Sequence, residues 1–366
     1  MVEKVFLSPA KYVQGKGILK TCGKYVLNSL GSRMLVIGGK RSFESAGKTF
    51  CDTVKAAGGS AEYLPFKGQS SWAEISRIAK TAEEGNYDAI VAVGGGKAGD
   101  TARGVADKLK IRLGVVPSIA STDAPVASLY AIYSEKDEVQ AYGFARNPDL
   151  ILVDTEVICK APARYLAFGM ADALATWVEA KACAQSNQIT TGGGRATLAG
   201  LAIAEKCEEI IFTYGVQAYE ANKAQVITPA LDYVVEANTL LSGIGYESGG
   251  LAAAHSIHNG LTVLSGDIEQ LSHGELVAYG TLTQLFLENQ VPEILDKYIR
   301  FYRKLNLPTT LADLKLGEAS YEELLKVGEA ATSEGETIHR MPFEVTAADV
   351  ADAMLAADAY VRAYFL

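Results

Sequence analysis

Three of the chain's 4 histidines, His255, His258 and His273, fall within one short span. An imidazole can hold a metal, carry a proton or pack as a hydrogen-bonded side chain, and independently buried histidines rarely collect in this way. His255 and His258 are three residues apart and so share one helical face. His273, in Leu271-Ser272-His273-Gly274-Glu275, stands at the expected start of the next helix, after a turn around Ser265-Gly266-Asp267. Adjacent elements could converge these rings on a divalent ion, or the rings could be satisfied structurally. Spacing alone leaves both readings open. A third ligand would come from Gly169-Met170-Ala171-Asp172-Ala173-Leu174, where Asp172 lies among apolar residues near an expected helix start. It reads either as a helix N-cap or as a carboxylate facing a partner. His339 reads as structural.

A second pattern lies at residues 88–103, DAIVAVGGGKAGDTAR, a strand running through a glycine turn into a helix. Gly94, Gly95 and Gly96 allow a sharp bend and a close backbone approach to phosphate, where a helix start offers free N–H groups. Gly94-x-Gly96-x-x-Gly99 also satisfies the dinucleotide spacing. That spacing is weak alone and here follows the third strand, so a ligand-free turn competes with it. Lys97, within reach of a pyrophosphate, favours a nucleotide. At the end of the first strand, where such sheets usually carry an acid for the adenosine ribose, the chain reads Gly38-Gly39-Lys40-Arg41. The missing carboxylate beside two cations leaves room for a 2′-phosphate, so NADP stays open beside NAD.

The elements that must position these residues differ between the two halves. Short apolar runs at Arg33–Ile37, Ala61–Phe66, Asp88–Val93, Arg112–Val116 and Leu150–Val153 alternate with helical stretches at Ser45–Ala57, Trp72–Glu84 and Lys97–Leu109. Continuous apolar strands with intervening helices imply a parallel sheet covered on both faces. Ser128–Tyr133 and Val139–Phe144, separated by Glu135–Glu138, read as a hairpin added to that sheet. From about Pro162 the strand runs vanish and a period near 3.6 takes over. Helices are expected at Gly169–Ser186, Arg195–Tyr214, Pro229–Ser248, Glu275–Glu288, Val291–Leu305, Tyr321–Thr332 and Ala347–Tyr364. The expected architecture is an α/β Rossmann-like parallel-sheet domain over residues 1–160, followed by an all-helical domain over 161–366. The short linker near Thr155–Ala163 favours a cleft between packed domains.

With 34 Lys+Arg against 43 Asp+Glu the net charge is −9, which argues against a nucleic-acid partner that needs a basic face. No run reaches the ~18 consecutive apolar residues of a membrane span. The opening MVEKVFLSPAKYVQG lacks an apolar signal core, and a cytoplasmic location is expected. Cys22, Cys51, Cys159, Cys183 and Cys207 are odd in number and scattered, which suits reduced, buried thiols better than a disulfide framework.

The segments VAVGGGKAGDT, PSIASTDAP, FGMADALATWVEA, ESGGLAAAHSIHNGL and LSHGE together resemble the glycerol dehydrogenase family of the iron-containing (group III) alcohol dehydrogenase superfamily, which includes dehydroquinate synthase-like proteins. The likeness extends over nearly the whole chain. It implies a dehydroquinate synthase-like fold with a catalytic Zn²⁺ in the cleft, held by Asp172, His255 and His273. The implied pyrophosphate contacts are Gly94, Gly95, Gly96 and Lys97, and the implied nicotinamide-side contacts are Ser118, Ser121, Ala127, Leu129 and Tyr133. Asp123 is implied to hold a substrate hydroxyl, and His258 either relays the released proton or packs. Iron-dependent relatives carry a further His where this chain has Thr176; three ligands and an open fourth position suit zinc.

The activity implied is hydride transfer between NAD, with NADP open, and a small polyol such as glycerol, in a homo-oligomer with no nucleic-acid or membrane partner. The chain departs from the family pattern at Gly39, usually Asp, at Ala98-Gly99, which implies a looser helix start, and at Ala127, often Ser. Lys40-Arg41 is similar to a related group of NADPH-dependent hydroxycarboxylate (2-oxo acid) reductases, the alternative enzyme. A non-catalytic nucleotide-binding protein is the alternative from another class.

Overall fold

The computed structural model describes residues 2–134 and 139–366, so the expected turn at Glu135–Glu138 lies outside the described residues. The chain divides into two compact units: Ser8–Pro162 with Ala221–Leu240, and Met1–Leu7 with Ala163–Glu220 and Leu241–Leu366. In the first unit the strands are β1 (Tyr12–Gly15), β2 (Arg33–Gly38), β3 (Ser60–Pro65), β4 (Ala89–Gly94), β5 (Arg112–Pro117), β6 (Leu129–Tyr133), β7 (Val139–Phe144) and β8 (Leu150–Asp154). Six form a parallel sheet in the order β1-β8-β5-β4-β2-β3. Its central strands are buried on both faces. Met34, Val36, Ile37, Ile90, Val91 and Val93 have no exposed surface, and a fully buried aliphatic side chain stabilises by about 1.5–3 kcal/mol.

Strand order determines where a ligand could bind. From β2 the chain moves outward to β3, then returns to place β4 on the opposite side of β2. Helices diverge at such a reversal and leave a crevice beyond the carboxyl ends of the two strands. Register puts Gly38 opposite Val93, and Gly94 opposite Pro117, so the turns after β2, β4 and β5 emerge side by side. A side chain at Gly38 would put its Cβ 2.3 Å from the Val93 carbonyl, so only glycine permits that approach.

Two strand expectations need correction. The hairpin is not added to the sheet. β6 and β7 form a separate antiparallel ribbon because β8 takes the place beside β5. β6 alternates half-buried and buried residues, as a ribbon does when one face packs on a helix. Tyr130 reaches Gly104 of the Gly96–Leu109 helix, and its hydroxyl donates to Asp107. The outer sheet position is filled by β1, whose four residues YVQG are too short to show a strand pattern.

The second unit is helical apart from an isolated Lys4–Arg195 bridge among the described residues. Its core packs Ile257, Leu261, Tyr279, Leu324, Val327, Val350 and Met354. The expected Pro229–Ser248 helix is instead three pieces: Pro229–Glu236 and all but the last residue of a π turn at Ala237–Leu241 fall in the first unit, and Ser242–Gly249 falls in the second. The Ala163–Ser186 helix begins earlier than periodicity indicated, and Leu198–Lys223 runs further. All five cysteines are free and buried. No helix among the described residues is long and apolar enough to cross a membrane.

Candidate active site

In the helical unit, Asp172 is the tenth residue of the Ala163–Ser186 helix, so it is no N-cap and does not sit at a helix start. Its side chain is 1% exposed. His255 and His258 project from the Ala253–Leu261 helix, and His273 is the first residue of His273–Leu287. The motif LSHGE explains that start: Ser272 accepts from the Glu275 N–H while the Glu275 carboxylate accepts from the Ser272 N–H at 2.8 Å. Glycine sets the depth of the approach. A Cβ at Gly274 would lie 2.2 Å from the Phe168 carbonyl, and one at Gly280 would lie 2.4 Å from that of Ala254. The helix bearing His273 therefore reaches both neighbouring helices at backbone contact.

The result is a compact donor set. His273 Nε2 lies 3.1 Å and His255 Nε2 3.4 Å from Asp172 Oδ1. One ligand atom from each of the three residues lies within 4.8 Å of the others. Behind them stands Glu179, fully buried, which bonds His255 Nδ1 and accepts the N–H groups of Ala252 at 2.8 Å and His255 at 3.0 Å. It thus orients the ring and caps the helix that carries it, in the manner of carboxylates behind metal-bound histidines. Periodicity offered a signal for Glu179 that went unread. It follows Asp172 by seven residues, two helical turns, which puts both acids on one face of an apolar helix.

Beyond His273 a polar chain continues. His273 Nδ1 is 3.0 Å from His258 Nε2, His258 Nδ1 is 3.0 Å from Asn259 Oδ1, and Asn259 donates to Glu336. A proton on His273 Nδ1 and another on His258 Nδ1 satisfy both ring contacts and leave His273 Nε2 facing Asp172 with its lone pair. Electrostatics differ from ring to ring. Burial opposes ionisation of Asp172, but His273 and His255 outweigh it and hold the carboxyl well below its usual range. Burial likewise disfavours charge on His255, yet Glu179 and Asp172 hold that imidazole well above its usual range. At His258, burial and then the charges of His273 and His255 push the ring well below it.

Two buried carboxylates around His255 therefore call for positive charge. A divalent ion fits that demand by replacing protons on the donor atoms. Two imidazole nitrogens and one carboxylate are donors that a divalent metal ion accepts. Thr176, one turn beyond Asp172, gives its hydroxyl to a 2.8 Å contact with Ser242 and supplies no fourth imidazole. His339, assigned a structural part above, contacts the Ser333 carbonyl at 3.1 Å.

In the sheet unit, Gly94, Gly95, Gly96, Gly99, Arg103 and Ser121 line one recess. The Ser118 N–H donates to the Gly94 carbonyl at 3.2 Å, which brings the turns after β4 and β5 together. Lys97 Nζ lies 5.1 Å from the centroid of the Tyr133 ring. Ala127, Leu129 and Tyr133 stand outside the lining of the recess, and Ala127 is buried. The Ala127 carbonyl has another partner, Arg103, a residue the sequence reading did not single out. Arg103 is fully buried and donates through Nε to Ala127 and through Nη2 to Ala124, pinning the turn that carries Asp123. A Cβ at Gly99 would come within 3.0 Å of Arg103 Nη1. Glycine there makes room for the guanidinium, and the Gly99 N–H still donates to Gly95 at 3.2 Å, so the helix start is regular rather than loose. Asn238, on the π turn, donates to the Ala120 carbonyl at 3.0 Å and braces Ser118–Ser121.

A doubly wound sheet with an open glycine turn, and a helical unit with a carboxylate between imidazoles, narrow the class, and comparison with known proteins agrees. Residues 9–155 match the family described as iron-containing alcohol dehydrogenase. Similarity to individual proteins extends much further than that match. The chain is 44% identical to a glycerol dehydrogenase of Escherichia coli over 98% of each chain. It is also 44% identical to a glycolaldehyde reductase of Halobacterium salinarum over 97% of each. The crystal structure of glycerol dehydrogenase from Schizosaccharomyces pombe superposes with a TM-score of 0.96 at 38% identity, covering 99% of this chain and 92% of that one. The chain belongs to the iron-containing alcohol dehydrogenase family and is an oxidoreductase. Within that family its full-length likeness is to glycerol dehydrogenases.

Proposed function

We propose that the protein transfers a hydride between a nicotinamide dinucleotide and a small vicinal polyol, in the sense of glycerol to dihydroxyacetone, with Asp172, His255 and His273 holding Zn²⁺. The observation that carries this reading is the buried Asp172 carboxylate met by two imidazole nitrogens, with Glu179 behind one of them. A zinc ion supplies Lewis acidity that lowers the pKa of an alcohol, and the nicotinamide supplies the hydride acceptor. The chain's own residues do the rest. Glu179 holds His255 through Nδ1 and leaves Nε2 directed at Asp172. His258 Nε2 accepts a hydrogen bond from the His273 Nδ1–H and keeps His273 Nε2 free as a donor atom; the contacts support this orienting part more directly than proton relay.

On the nucleotide side, Gly94, Gly95 and Gly96 form the turn into the Gly96–Leu109 helix, whose N-terminus can offer N–H groups to a pyrophosphate, and Lys97 adds charge. Ser118, Ser121, Leu129 and Tyr133 belong to the segments expected on the nicotinamide side, while the Ala127 side chain is packed inside. Asp123 accepts a hydrogen bond from a second substrate hydroxyl, selecting diols over simple alcohols, and Arg103 keeps its turn in place. The full-length likeness to glycerol dehydrogenases supports the substrate class. A homo-oligomer belongs to the same proposal and is checked by sedimentation. The deciding experiment crosses NAD and NADP with glycerol, 1,2-propanediol and a hydroxy acid, with metal analysis of the protein used. Turnover of the diols with stoichiometric zinc is expected. Faster turnover of the hydroxy acid, or full activity in metal-free protein, overturns the reading.

A further inference from the structure

Resting on the dinucleotide reading above, we propose that the preferred dinucleotide carries a phosphate on its adenosine ribose, NADP(H), selected by Gly39, Lys40 and Arg41. These residues follow β2, the strand at which the winding of the sheet reverses, so they edge the crevice shared with the glycine turn after β4. At this place a carboxylate accepts from the ribose 2′-hydroxyl and repels a 2′-phosphate, whereas a cation does the reverse.

Nothing in the fold requires glycine at position 39. Its backbone is extended, with φ −70° and ψ 161°, a conformation open to any residue. A Cβ there meets only Ser42 Oγ, at 3.9 Å. Gly38, one residue earlier, shows what a required glycine looks like, with the Val93 carbonyl 2.3 Å from its would-be Cβ. Local stability in fact asks for the opposite residues. Helical structure runs on from Lys40 through Ala56. Asp before such a run would cap it, and cations in its first turn oppose its dipole. The chain instead omits the carboxylate and adds two cations. Both are exposed, and among the described residues neither is engaged in an ion pair or side-chain hydrogen bond.

Their backbone is nonetheless anchored. Ser42 Oγ donates to the Val93 carbonyl at 2.8 Å, and the Phe43 ring stacks on Tyr63 at 3.6 Å between centroids. Of the acids near this corner, Glu74 is committed to Arg77 at 2.6 Å, and Glu44 lies a turn further along the helix. A locally unfavourable sequence held on a rigid base is what a site built for a doubly charged phosphate needs. Arg41 can meet that phosphate through paired N–H groups and Lys40 as a point charge.

The test titrates the full-length protein with NADPH and with NADH, without substrate, following nicotinamide fluorescence at low and at moderate salt. NADPH should bind at least about tenfold more tightly, the margin of one well-placed charge-assisted contact, and that margin should shrink as salt rises. K40A/R41A should lose the margin while its NADH affinity stays within about threefold, because NADH has no phosphate there. G39D should reverse the preference and keep or raise the melting temperature, which separates altered selection from damage to the fold. NADH binding as tightly as NADPH in the wild type, or an unchanged margin in K40A/R41A, overturns this inference alone. Failure of both dinucleotides to bind overturns the proposed function as well.

Discussion

After β4 the chain offers a ligand almost nothing but backbone: three consecutive glycines, a parallel register that aligns neighbouring turns, and one recess lined largely by those turns. Around Asp172 it offers side chains only, drawn from three helices and paired across as many as 101 positions of sequence. The first arrangement depends on what is absent, since it presents backbone where other turns present side chains. The second depends on what is present and how it is braced, since each ring nitrogen is oriented by a partner behind it. Contiguous residues can build a backbone site with little help from the rest of the fold. A cluster of buried ionisable groups needs the whole helical core to hold it.

Breaking the helical centre should leave the glycine turn intact. In H273A, turnover falls by roughly three orders of magnitude or more, while dinucleotide affinity changes by no more than about threefold. Elemental analysis and fluorescence titration on one preparation check both halves.

A buried charge of the sheet unit gives the next largest effect. Burial raises the Asp100 pKa from 3.8 to about 6, against the pull of Arg103. The folded state therefore holds this proton more tightly than the unfolded chain, so the group's contribution to stability falls as pH rises from 3.8 to about 6 and is level above that. Relative to the wild type, D100N should gain on the order of 3 kcal/mol between pH 4 and pH 7. Urea unfolding at several pH values measures the difference, and a constant difference would refute the assignment.

Smaller effects sharpen the contrast between bracing and bareness. E179Q keeps the shape of the carboxylate but loses its charge, and metal affinity should fall about 10–100-fold with little loss of helix content. Chelator competition reads this directly. G274A forces a methyl group against the Phe168 carbonyl and should cost about 1–3 kcal/mol of stability. The smallest change is expected for Y133A, which removes the ring beneath Lys97 and should weaken dinucleotide binding by a few-fold, equivalent to about 0.5–1 kcal/mol.

Much of this molecule was legible before folding was considered. β2, β4, β5 and β8 announced themselves because a strand buried on both faces must be apolar throughout. Trp72–Glu84 was legible because its apolar residues recur at helical spacing within clear boundaries. The four-residue β1 carried too little pattern to see. The hairpin's separation from the main sheet was not legible, because pairing partners are chosen by strands far away in sequence, not by the hairpin itself. Asp172 looked like a residue near a helix start because the turns preceding it, from Ala163, have no polar boundary where the helix was expected to begin.

Residue types and local spacing set the chemistry on offer: which positions carry imidazole, carboxylate or bare backbone, and which neighbours share a face. Those are properties of residue type and of local periods of two and 3.6. It took the folded chain to put Glu179 behind His255, to make Arg103 brace the Asp123 turn from inside, and to leave Gly39 free of any packing demand. Each depends on contacts between residues distant in the chain. Such contacts are selected by close packing and by the cost of leaving buried polar groups unpaired, which no local period records.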